Sequence, residues 1–484
     1  MTAHMLFRCI PNMAKLISWQ MEIQCMRTFW CMMILLASTL AAVPIQAQER
    51  RPNILLMYTD DQSQTSHGFA GNKEIQTPHI DALARRGIYF DNAFVTTAIC
   101  CSSRACFLTG QHMYRHGITD FKTPLSAAAF QQTYPALLKK SGYRTGFLGK
   151  YAIGNPSGDQ KELSLPEKQF DFWYGFPQSI NFRQEVDGQP RYLTEMMSEK
   201  AIEFLRENPA DKPFCLTVAF KEPHGPFNYF DPKVPNIYQD VQLTPSQTFN
   251  RRAFDQQPDF IRKSMNGQGS LAKLESKERY QQELRTVYRT VTRADQSVGE
   301  ILAELKRLKL DNNTIVIFTS DHGSLLGDHG LSGKWLMYEN SIRVPFILYD
   351  PRLEPSLAAG RRSEMVLGID IAPTILSLSG IKPPDAMQGQ DLMPIVRGTS
   401  NAWRSHFYYQ HTYNPESERG TIAESEGIRT KQRKYIRYPK TQPLFEQLFD
   451  LKNDPKELVN LAMQSDQSSI LNVLRLLCDQ KAEE

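Results

Sequence analysis

Short apolar runs that end in polar residues alternate with segments of helical periodicity along most of this chain. Four runs have the length and continuity of buried β-strands, at residues 53–58, 213–220, 314–318 and 344–349. Between them, Thr77 and Pro78 form an N-cap and first turn for a helix that we expect to end at Arg86. Apolar residues at helical spacing from 284 to 305 predict a long amphipathic helix. The alternation predicts an α/β fold with a large, mostly parallel central sheet flanked by helices.

Side chains whose oxygen or nitrogen atoms can bind a metal ion follow three of these strands. Asp60 and Asp61 follow the first, His224 the second, and Asp321 and His322 the third. Because sites on such sheets gather beyond the carboxyl ends of the strands, we expect these side chains to lie close together. Converging carboxylates repel unless a cation lies between them, and oxygen-rich sites suit Ca²⁺ or Mg²⁺. A helix cap or a turn is the alternative for each pair taken alone.

The first 47 residues have the pattern of an export signal. An apolar run at 29–43 follows a basic residue and precedes an expected cleavage point after Ala47. The run is shorter than the roughly 20 residues of a membrane-spanning helix. We therefore expect export to the periplasm or the medium, with no membrane span after cleavage; an uncleaved anchor is the alternative. The long segment before the run leaves Met21 and Met26 as alternative start sites.

The pattern changes near residue 398. Residues 48–398 form the predicted main domain, and residues 399–484 a small α+β C-terminal subdomain with short strand-like runs and a closing helix near 470–477. Within the main domain, residues 227–279 are polar and weakly periodic. We interpret them as a long excursion over the surface, which at this length is often functional.

The net charge and the cysteine content exclude some classes of protein. The formal net charge is +4 for 484 residues, which gives no reason to expect a nucleic-acid partner. Five of the eight cysteines lie beyond the predicted signal, at positions 100, 101, 106, 215 and 478. This odd set is too sparse for a disulfide framework, so at least one thiol has no intramolecular partner. A free thiol is unusual in an oxidising compartment.

Three of those thiols lie in the stretch AICCSSRACFLTG, residues 98–110. Arg104 follows Cys100 by four residues, and residues 105–111 look like the start of a helix. A side chain at a helix N-terminus beside an arginine lies where an anion would bind. For Cys100 taken alone, an inert buried thiol is the alternative.

The order C-x-x-S-R followed by L-T-G, which starts at Cys100, resembles the signature of the type I, formylglycine-dependent sulfatases. Seven other segments resemble that family in the same order: RPNILLMYTDD, TPHIDALARRGIYFDNAF, TGFLGK, EPHGPF, TSDHGSLLGDHGLSGKWLMYENSIRVP, MQGQDLMPIVRG and LFDLKNDPKELVNLA. The resemblance covers residues 51–462. It implies the fold of the alkaline-phosphatase superfamily and the hydrolysis of a sulfate monoester.

In that family a maturation enzyme oxidises the signature cysteine, here Cys100, to formylglycine. The resemblance also implies one Ca²⁺ ion, with Mg²⁺ as the alternative. Its ligands would be Asp60, Asp61, Asp321, His322 and the group made from Cys100, although many members have Asn at the position of His322. One hydroxyl of the hydrated aldehyde would attack sulfur, and the second would let sulfate leave.

The resemblance assigns the remaining catalytic roles to cations and a histidine. Arg104, Lys150 and Lys334 would stabilise the sulfuryl oxygens together with the metal. His224 or Lys334 would protonate the leaving oxygen. With Cys100, these four residues complete the predicted catalytic set.

Two positions depart from the family pattern. Ser102 stands where members usually have Pro or Ala, in the segment that the maturation enzyme reads. Ala152 stands where the lysine segment usually has a histidine that helps the release of sulfate. Neither change touches the implied metal ligands, so we expect an active enzyme. We expect Cys101 and Cys106 to be packing residues.

Three functional hypotheses follow. The first is an exported sulfatase that acts on a sulfated carbohydrate or small sulfate ester. The second is a phosphonate or phosphate ester hydrolase on the same scaffold, which His322 fits slightly better than Asn would. The third is a non-catalytic binding protein, prompted by Ser102 and Ala152. Five further side chains would either line the pocket or pack loops: His112, Arg115, His116, Asp328 and His329.

Overall fold

The structure is a computed structural model that describes residues 51–154, 165–178, 180–226, 231–232, 234, 236–400, 402–415 and 420–483. The expected signal, residues 1–47, lies outside the described residues. In the part that is described, no helix has the length and apolar character needed to cross a membrane. The domain boundary near residue 398 stays a prediction.

The strands form one large sheet, one four-stranded sheet and a hairpin. In chain order they are β1 Asn53–Asp60, β2 Ile88–Phe94, β3 Arg144–Lys150, β4 Phe172–Phe176, β5 Arg183–Val186, β6 Gln189–Tyr192, β7 Phe214–Pro223, β8 Thr314–Ser320, β9 Phe346–Tyr349, β10 Gly360–Leu367, β11 His406–His411, β12 Ser425–Thr430, β13 Arg433–Tyr438 and β14 Phe445–Asp450. The large sheet has the order β10-β2-β9-β8-β1-β7-β3-β4. Its neighbours pair in parallel, except that β9 runs antiparallel to β2 and β8. The predicted fold class is confirmed.

Helices flank the large sheet and connect its strands. In chain order they are α1 Pro78–Arg86, α2 Cys100–Thr109, α3 Met113–His116, α4 Ala127–Phe130, α5 Tyr134–Lys140, α6 Leu193–Arg206, α7 Arg251–Asp255, α8 Asp259–Arg262, α9 Met265–Leu274, α10 Lys277–Arg307, α11 Glu339–Ile342, α12 Ile371–Leu378, α13 Met393–Val396 and α14 Ser468–Glu483. The helix predicted at 78–86 is confirmed. The long helix predicted from residue 284 begins earlier, at Lys277.

Strand β1 lies inside the large sheet, between β7 and β8. All eight of its residues are buried. Ile54, Leu56 and Tyr58 belong to one hydrophobic cluster, and Leu55 and Met57 to another. Since successive side chains of a strand point to opposite faces, the two clusters lie on the two faces of the sheet. Burial on both faces explains why the strand is a continuous apolar run rather than an alternating one.

The last four strands form the antiparallel sheet β11-β12-β13-β14. Its Tyr408, Ile428 and Tyr435 pack in one cluster with Leu471 and Leu474 of α14. This confirms the small α+β subdomain at the C-terminal end. Strand β12 was not predicted, because its sequence SEGIRT has few apolar residues and a glycine.

Residues 227–279, interpreted as an excursion over the surface, fold into helices and contribute side chains to the core where the segment is described. It contains α7, α8 and α9, and Phe254 and Ile261 are buried. Side chains cap α7, α9 and α10 at their N-termini, from Asn250, Ser264 and Ser276. These caps were the available signal. The helices are short and their apolar faces narrow, so hydrophobic periodicity did not reveal them.

Gly149 lies in β3, directly before Lys150, at a position that requires a glycine. Its φ is 96°, and a β-carbon there would lie 2.0 Å from the carbonyl oxygen of Ala219 in β7. Gly71 has a similar φ of 102°, but a β-carbon there would meet no atom within 4 Å. Both positions have a left-handed backbone, but only at Gly149 would a β-carbon clash with a neighbouring strand.

We expect Gly71→Ala to lower the free energy of unfolding by about 1–2 kcal/mol, the cost of a left-handed alanine. Gly149→Ala should cost a further ~1–3 kcal/mol because β3 and β7 must separate. Chemical denaturation of the two variants beside the wild type measures both values. Equal losses would show that the contact between β3 and β7 at Gly149 is not close-packed.

Candidate active site

The carboxyl ends of four neighbouring strands bring the predicted site residues together. Strands β8, β1, β7 and β3 are adjacent and parallel in the sheet. Asp60 ends β1 and Lys150 ends β3, while His224 and Asp321 each follow a strand end directly. Cys100 is the first residue of α2, the helix that follows β2. Residues far apart in the chain therefore share one edge of the sheet.

The Cys100 side chain, 1% exposed, lies at the centre of this group. Four predicted site residues approach its Sγ: Lys334 Nζ at 3.1 Å, His322 Nε2 at 3.3 Å, and Lys150 Nζ and Asp60 Oδ1 at 3.4 Å. Two cations, one carboxylate and one imidazole thus surround a single sulfur atom.

Arg104 lies one helical turn after Cys100, on the same face of α2. Its guanidinium contacts Asp321 Oδ2 at 2.8 Å and Asp60 Oδ2 at 3.1 Å, and it donates to the carbonyl of Lys150. Because these three residues end β1 and β3 or follow β8, the arginine ties three strands to the helix. The guanidinium also lies 5.1 Å from the ring centre of Tyr58.

Asp61 connects the remaining predicted residues. Its φ is 76°, so the chain turns sharply after β1. Its carboxylate contacts Lys334 Nζ at 2.6 Å, His322 Nδ1 at 3.2 Å and His224 Nε2 at 3.9 Å. All nine predicted site residues therefore belong to one continuous group of contacts.

Ser103 was missed by the sequence analysis. Its buried hydroxyl donates to the backbone carbonyl of Asp321, and the backbone N–H of Asp61 donates to Asp321 Oδ1 at 3.3 Å. The first contact fixes α2 against the end of β8. The only sequence signal was its place between Cys100 and Arg104.

For five side chains the sequence left two roles open, lining the pocket or packing loops. The contacts described for four of them are packing contacts. His116 Nε2 lies 3.4 Å from Cys106 Sγ, and its Nδ1 accepts from the N–H of Ile118. Asp328 accepts hydrogen bonds from Ser246, Thr248 and Asn340. His329 stacks on Tyr338, and His112 stacks on Tyr114. None of these contacts involves Cys100, and the role of Arg115 stays open.

The family model for sulfatases matches residues 52–381, more than half of the chain. The chain belongs to the sulfatase family. A second family model, for the C-terminal part of N-sulphoglucosamine sulphohydrolase, matches residues 327–483. The first match contains the β1, α2 and β8 segments of the site, and the second contains Lys334 and the antiparallel sheet.

Known proteins agree with this assignment. An N-acetylglucosamine-6-O-sulfatase of Bacteroides thetaiotaomicron is 30% identical over 482 residues, covering 87% of this chain and 84% of the relative. A solved structure in complex with its substrate D-glucosamine-2-N,6-O-disulfate has TM-score 0.76 and 26% identity, over 90% of this chain and 98% of that one. The sulfatase is therefore a sulfuric ester hydrolase, as predicted, and the non-catalytic hypothesis is not supported.

The fold alone does not separate sulfate from phosphorus esters. The phosphonate monoester hydrolase of Agrobacterium radiobacter has TM-score 0.72 and 22% identity, over 90% of this chain and 96% of that one. At this identity the likeness shows a shared fold. The sequence match to the sulfatase family is what favours the sulfate ester.

The buried charges of the sulfatase stabilise one another. Burial alone would raise the pKa of the Asp60 carboxyl, but Lys150, Arg104 and Lys334 hold it well below its usual value. Burial likewise opposes the charge of Lys334, yet Asp61 raises its pKa well above the usual value. The pKa of Lys150 is raised by Asp60 in the same way. Asp60, Lys150 and Lys334 therefore stay charged at neutral pH.

The two histidines differ in charge. Burial and the nearby Lys150 lower the pKa of His224 to about 4, so its ring is neutral at pH 7. Burial also opposes the charge of His322, but Asp321 outweighs it and the pKa rises to about 9. Its ring is therefore protonated at pH 7 unless it binds a metal ion.

The carboxylates fit a hard divalent cation. Among the described residues, possible ligand atoms form two groups that share Asp60, each with atoms within 4.8 Å of one another: Asp60, Cys100, Asp321 and His322, and Asp60, Asp61 and His224. Carboxylate oxygens are the ligands that Ca²⁺ and Mg²⁺ prefer. His322 must lose its proton to act as a ligand. The cluster is thus a possible metal site of the predicted type.

The thiols near Cys100 are packing residues in this geometry. Cys101 and Cys106 are buried, and burial raises the pKa of each thiol to about 12, which makes them poor nucleophiles at neutral pH. All five described cysteines are free. The departing residue Ser102 is buried beside Cys101, with 3.7 Å between its Oγ and the sulfur. Ala152 is buried at φ 65°.

Proposed function

We propose that this sulfatase hydrolyses a sulfate monoester of a sulfated carbohydrate, with formylglycine made from Cys100 and one bound Ca²⁺. The observation that carries the proposal is the surrounding of Cys100. Lys150, Lys334, His322 and Asp60 lie 3.1–3.4 Å from its sulfur. The positive charges beside residue 100 suit a reaction with an anionic group such as a sulfate ester.

The hydrated form of the formylglycine would supply one hydroxyl for attack at sulfur and a second that allows sulfate to leave. Arg104, Lys150 and Lys334 provide three positive charges that face the same region, where charge spreads over the sulfuryl oxygens at the transition state. Their positions are fixed before substrate binds, because each is paired with Asp60, Asp61 or Asp321.

Lys334 or His224 would protonate the leaving oxygen. Lys334 carries a proton at neutral pH, but its raised pKa makes it a weak acid, because the best general acid has a pKa near the working pH. The lowered pKa of His224 leaves its ring neutral, so it would have to take up a proton first. The His224 side chain is 28% exposed and contacts Asp61.

Asp60, Asp61, Asp321 and His322, with the group made from Cys100, would hold the Ca²⁺, and Mg²⁺ is the alternative ion. A divalent cation there supplies a Lewis acid for the sulfuryl group. The lysines now paired with Asp60 and Asp61 would share these carboxylates with it. Lys150 and Lys334 place positive charge beside the acidic cluster.

The substrate class and location rest on the relatives and the N-terminal sequence. The Bacteroides relative acts on an N-acetylglucosamine sulfate, and the solved complex contains a glucosamine disulfate. These names support a sulfated amino sugar or polysaccharide as substrate. The signal pattern in residues 1–47 supports export, and conversion of Cys100 requires a maturation enzyme as a transient partner.

Residue 100 should be an aldehyde in protein from a host that makes the maturation enzyme. Mass spectrometry of the tryptic peptide ending at Arg104 should show loss of one thiol at residue 100, with Cys101 unchanged. Cys101→Ala serves as the matched control and should still be converted, while Cys100→Ala should be inactive. An intact thiol at residue 100 in the competent host would falsify the formylglycine mechanism.

Ca²⁺ should stabilise the folded enzyme. A ligand that binds only the native state adds about 2.7 kcal/mol at a hundredfold excess over its Kd, so the Tm should rise with Ca²⁺ and fall with chelator. Asp321→Asn should abolish this Ca²⁺-dependent shift. Asp328→Asn, seven residues further along the same loop, should keep it. A shift that survives in Asp321→Asn would place the ion elsewhere.

Sulfate esters should be the preferred substrates. Parallel kcat/KM measurements on the sulfate and phosphate esters of 4-nitrophenol distinguish the proposal from a phosphorus ester hydrolase, the alternative that His322 favours. Lys150→Ala should lower sulfatase kcat/KM by ~10²–10³-fold, as for loss of one transition-state donor. Lys139→Ala, at a half-buried ion pair with Asp171, should leave kcat/KM unchanged. Faster hydrolysis of the phosphate ester would favour the alternative.

A further inference from the structure

Lys334 is held on a loop rather than on a helix or strand. It follows Gly333 and precedes Trp335, both with left-handed backbone, at φ 75° and 78°. Its ammonium nevertheless reaches Cys100 Sγ at 3.1 Å and Asp61 Oδ1 at 2.6 Å. A long, flexible side chain on an irregular loop reaches one place only if its backbone is fixed from outside.

Asn266, near the start of α9, provides such a fixture. It is 0% exposed, and its side-chain amide donates to the carbonyl of Ser332 at 2.8 Å and to that of Lys334 at 2.7 Å. Its own backbone carbonyl accepts from the N–H of Ser332 at 3.0 Å. An amide nitrogen has two hydrogens, and both are used on carbonyls on either side of Gly333.

Helix α9 is itself anchored at this end. The N–H of Met265 donates to the carbonyl of Thr421, in the segment before β12, at 2.9 Å. The side chain of Ser264 caps the N–H of Asn266 at 3.2 Å. The loop of Lys334 is thus connected through Asn266 to the C-terminal subdomain, not only to the sheet that it leaves.

We propose that Asn266 is a positioning residue for Lys334. By holding the Ser332 and Lys334 carbonyls, it sets the point from which the ammonium reaches the reacting group at position 100. The inference rests on the proposed role of Lys334 as a cation that touches that group. Asn266 itself contacts neither Cys100 nor the carboxylate cluster in any described hydrogen bond.

Ser270 offers a matched control on the same helix. One turn after Asn266, its buried hydroxyl contacts the Ser332 hydroxyl at 2.9 Å. It therefore touches the same loop through a side chain, without holding the backbone of Lys334. Loss of packing between α9 and the loop would affect both positions, whereas loss of positioning would affect Asn266 alone.

The test is a double-mutant cycle on sulfate ester hydrolysis. Asn266→Leu keeps the size of the side chain but removes the donor, and Asn266→Ala is the second variant should the first fail to fold, as judged by its melting transition. Each is made alone and with Lys334→Ala, beside Ser270→Ala. We expect Asn266→Leu to lower kcat by ~10²-fold, the effect of a displacement of about 1 Å, with KM less affected.

The decrease in kcat caused by Asn266→Leu should disappear when Lys334→Ala is also present, because Asn266 then has no Lys334 ammonium to position. Ser270→Ala should stay near wild type. An equal loss from Asn266→Leu in both backgrounds would overturn the inference. If Lys334→Ala itself keeps full activity, the failure belongs to the proposed function instead, since Lys334 then has no catalytic role to position.

A second readout does not depend on activity. Lys334 is 6% exposed, so limited acetylation followed by mass spectrometry should label it slowly in the wild type and faster in Asn266→Leu. Labelling of Lys334 in Ser270→Ala should match the wild type, and the half-buried Lys139, which lies outside the site, should label equally in all variants. Unchanged protection of Lys334 in Asn266→Leu would also overturn the inference.

Discussion

The buried contact of Arg104 with Asp60 and Asp321 is the interaction on which the rest of the site depends. Two carboxylates with no exposure converge here from the ends of β1 and β8. An unpaired buried charge is strongly destabilising, and breaking such a pair costs about 3–5 kcal/mol. The arginine satisfies both acids at once and, through α2, brings Cys100 to the same point.

Pairing with the acidic residues then explains the cations around Cys100. Asp60, Asp61 and Asp321 contribute three carboxylates, and Arg104, Lys150, Lys334 and His322 pair with them. Each lysine that could stabilise a sulfuryl group is thus also needed to keep the acidic cluster stable. Folding and catalysis make the same demand on these side chains, which leaves little freedom to move them.

The neighbouring side chains, not the degree of burial, distinguish the three thiols. Cys101 and Cys106 lie among apolar side chains, and their raised pKa values keep them protonated. Cys100 differs in facing Lys150, Lys334 and His322 rather than the core. One helical step is enough to change the surroundings, because adjacent residues of a helix point about 100° apart.

The sequence by itself determined the α/β class, the strands that carry Asp60 and Asp321, and the set of predicted site residues that the fold brings together. These features are local: continuous apolar runs make buried strands, and the signature around Cys100 is contiguous. Tertiary structure alone decided the roles of Ser103 and of α9, including the hold of Asn266 on Lys334. Those contacts join residues separated by dozens to hundreds of positions, and no local pattern encodes such pairs because chain packing brings them together.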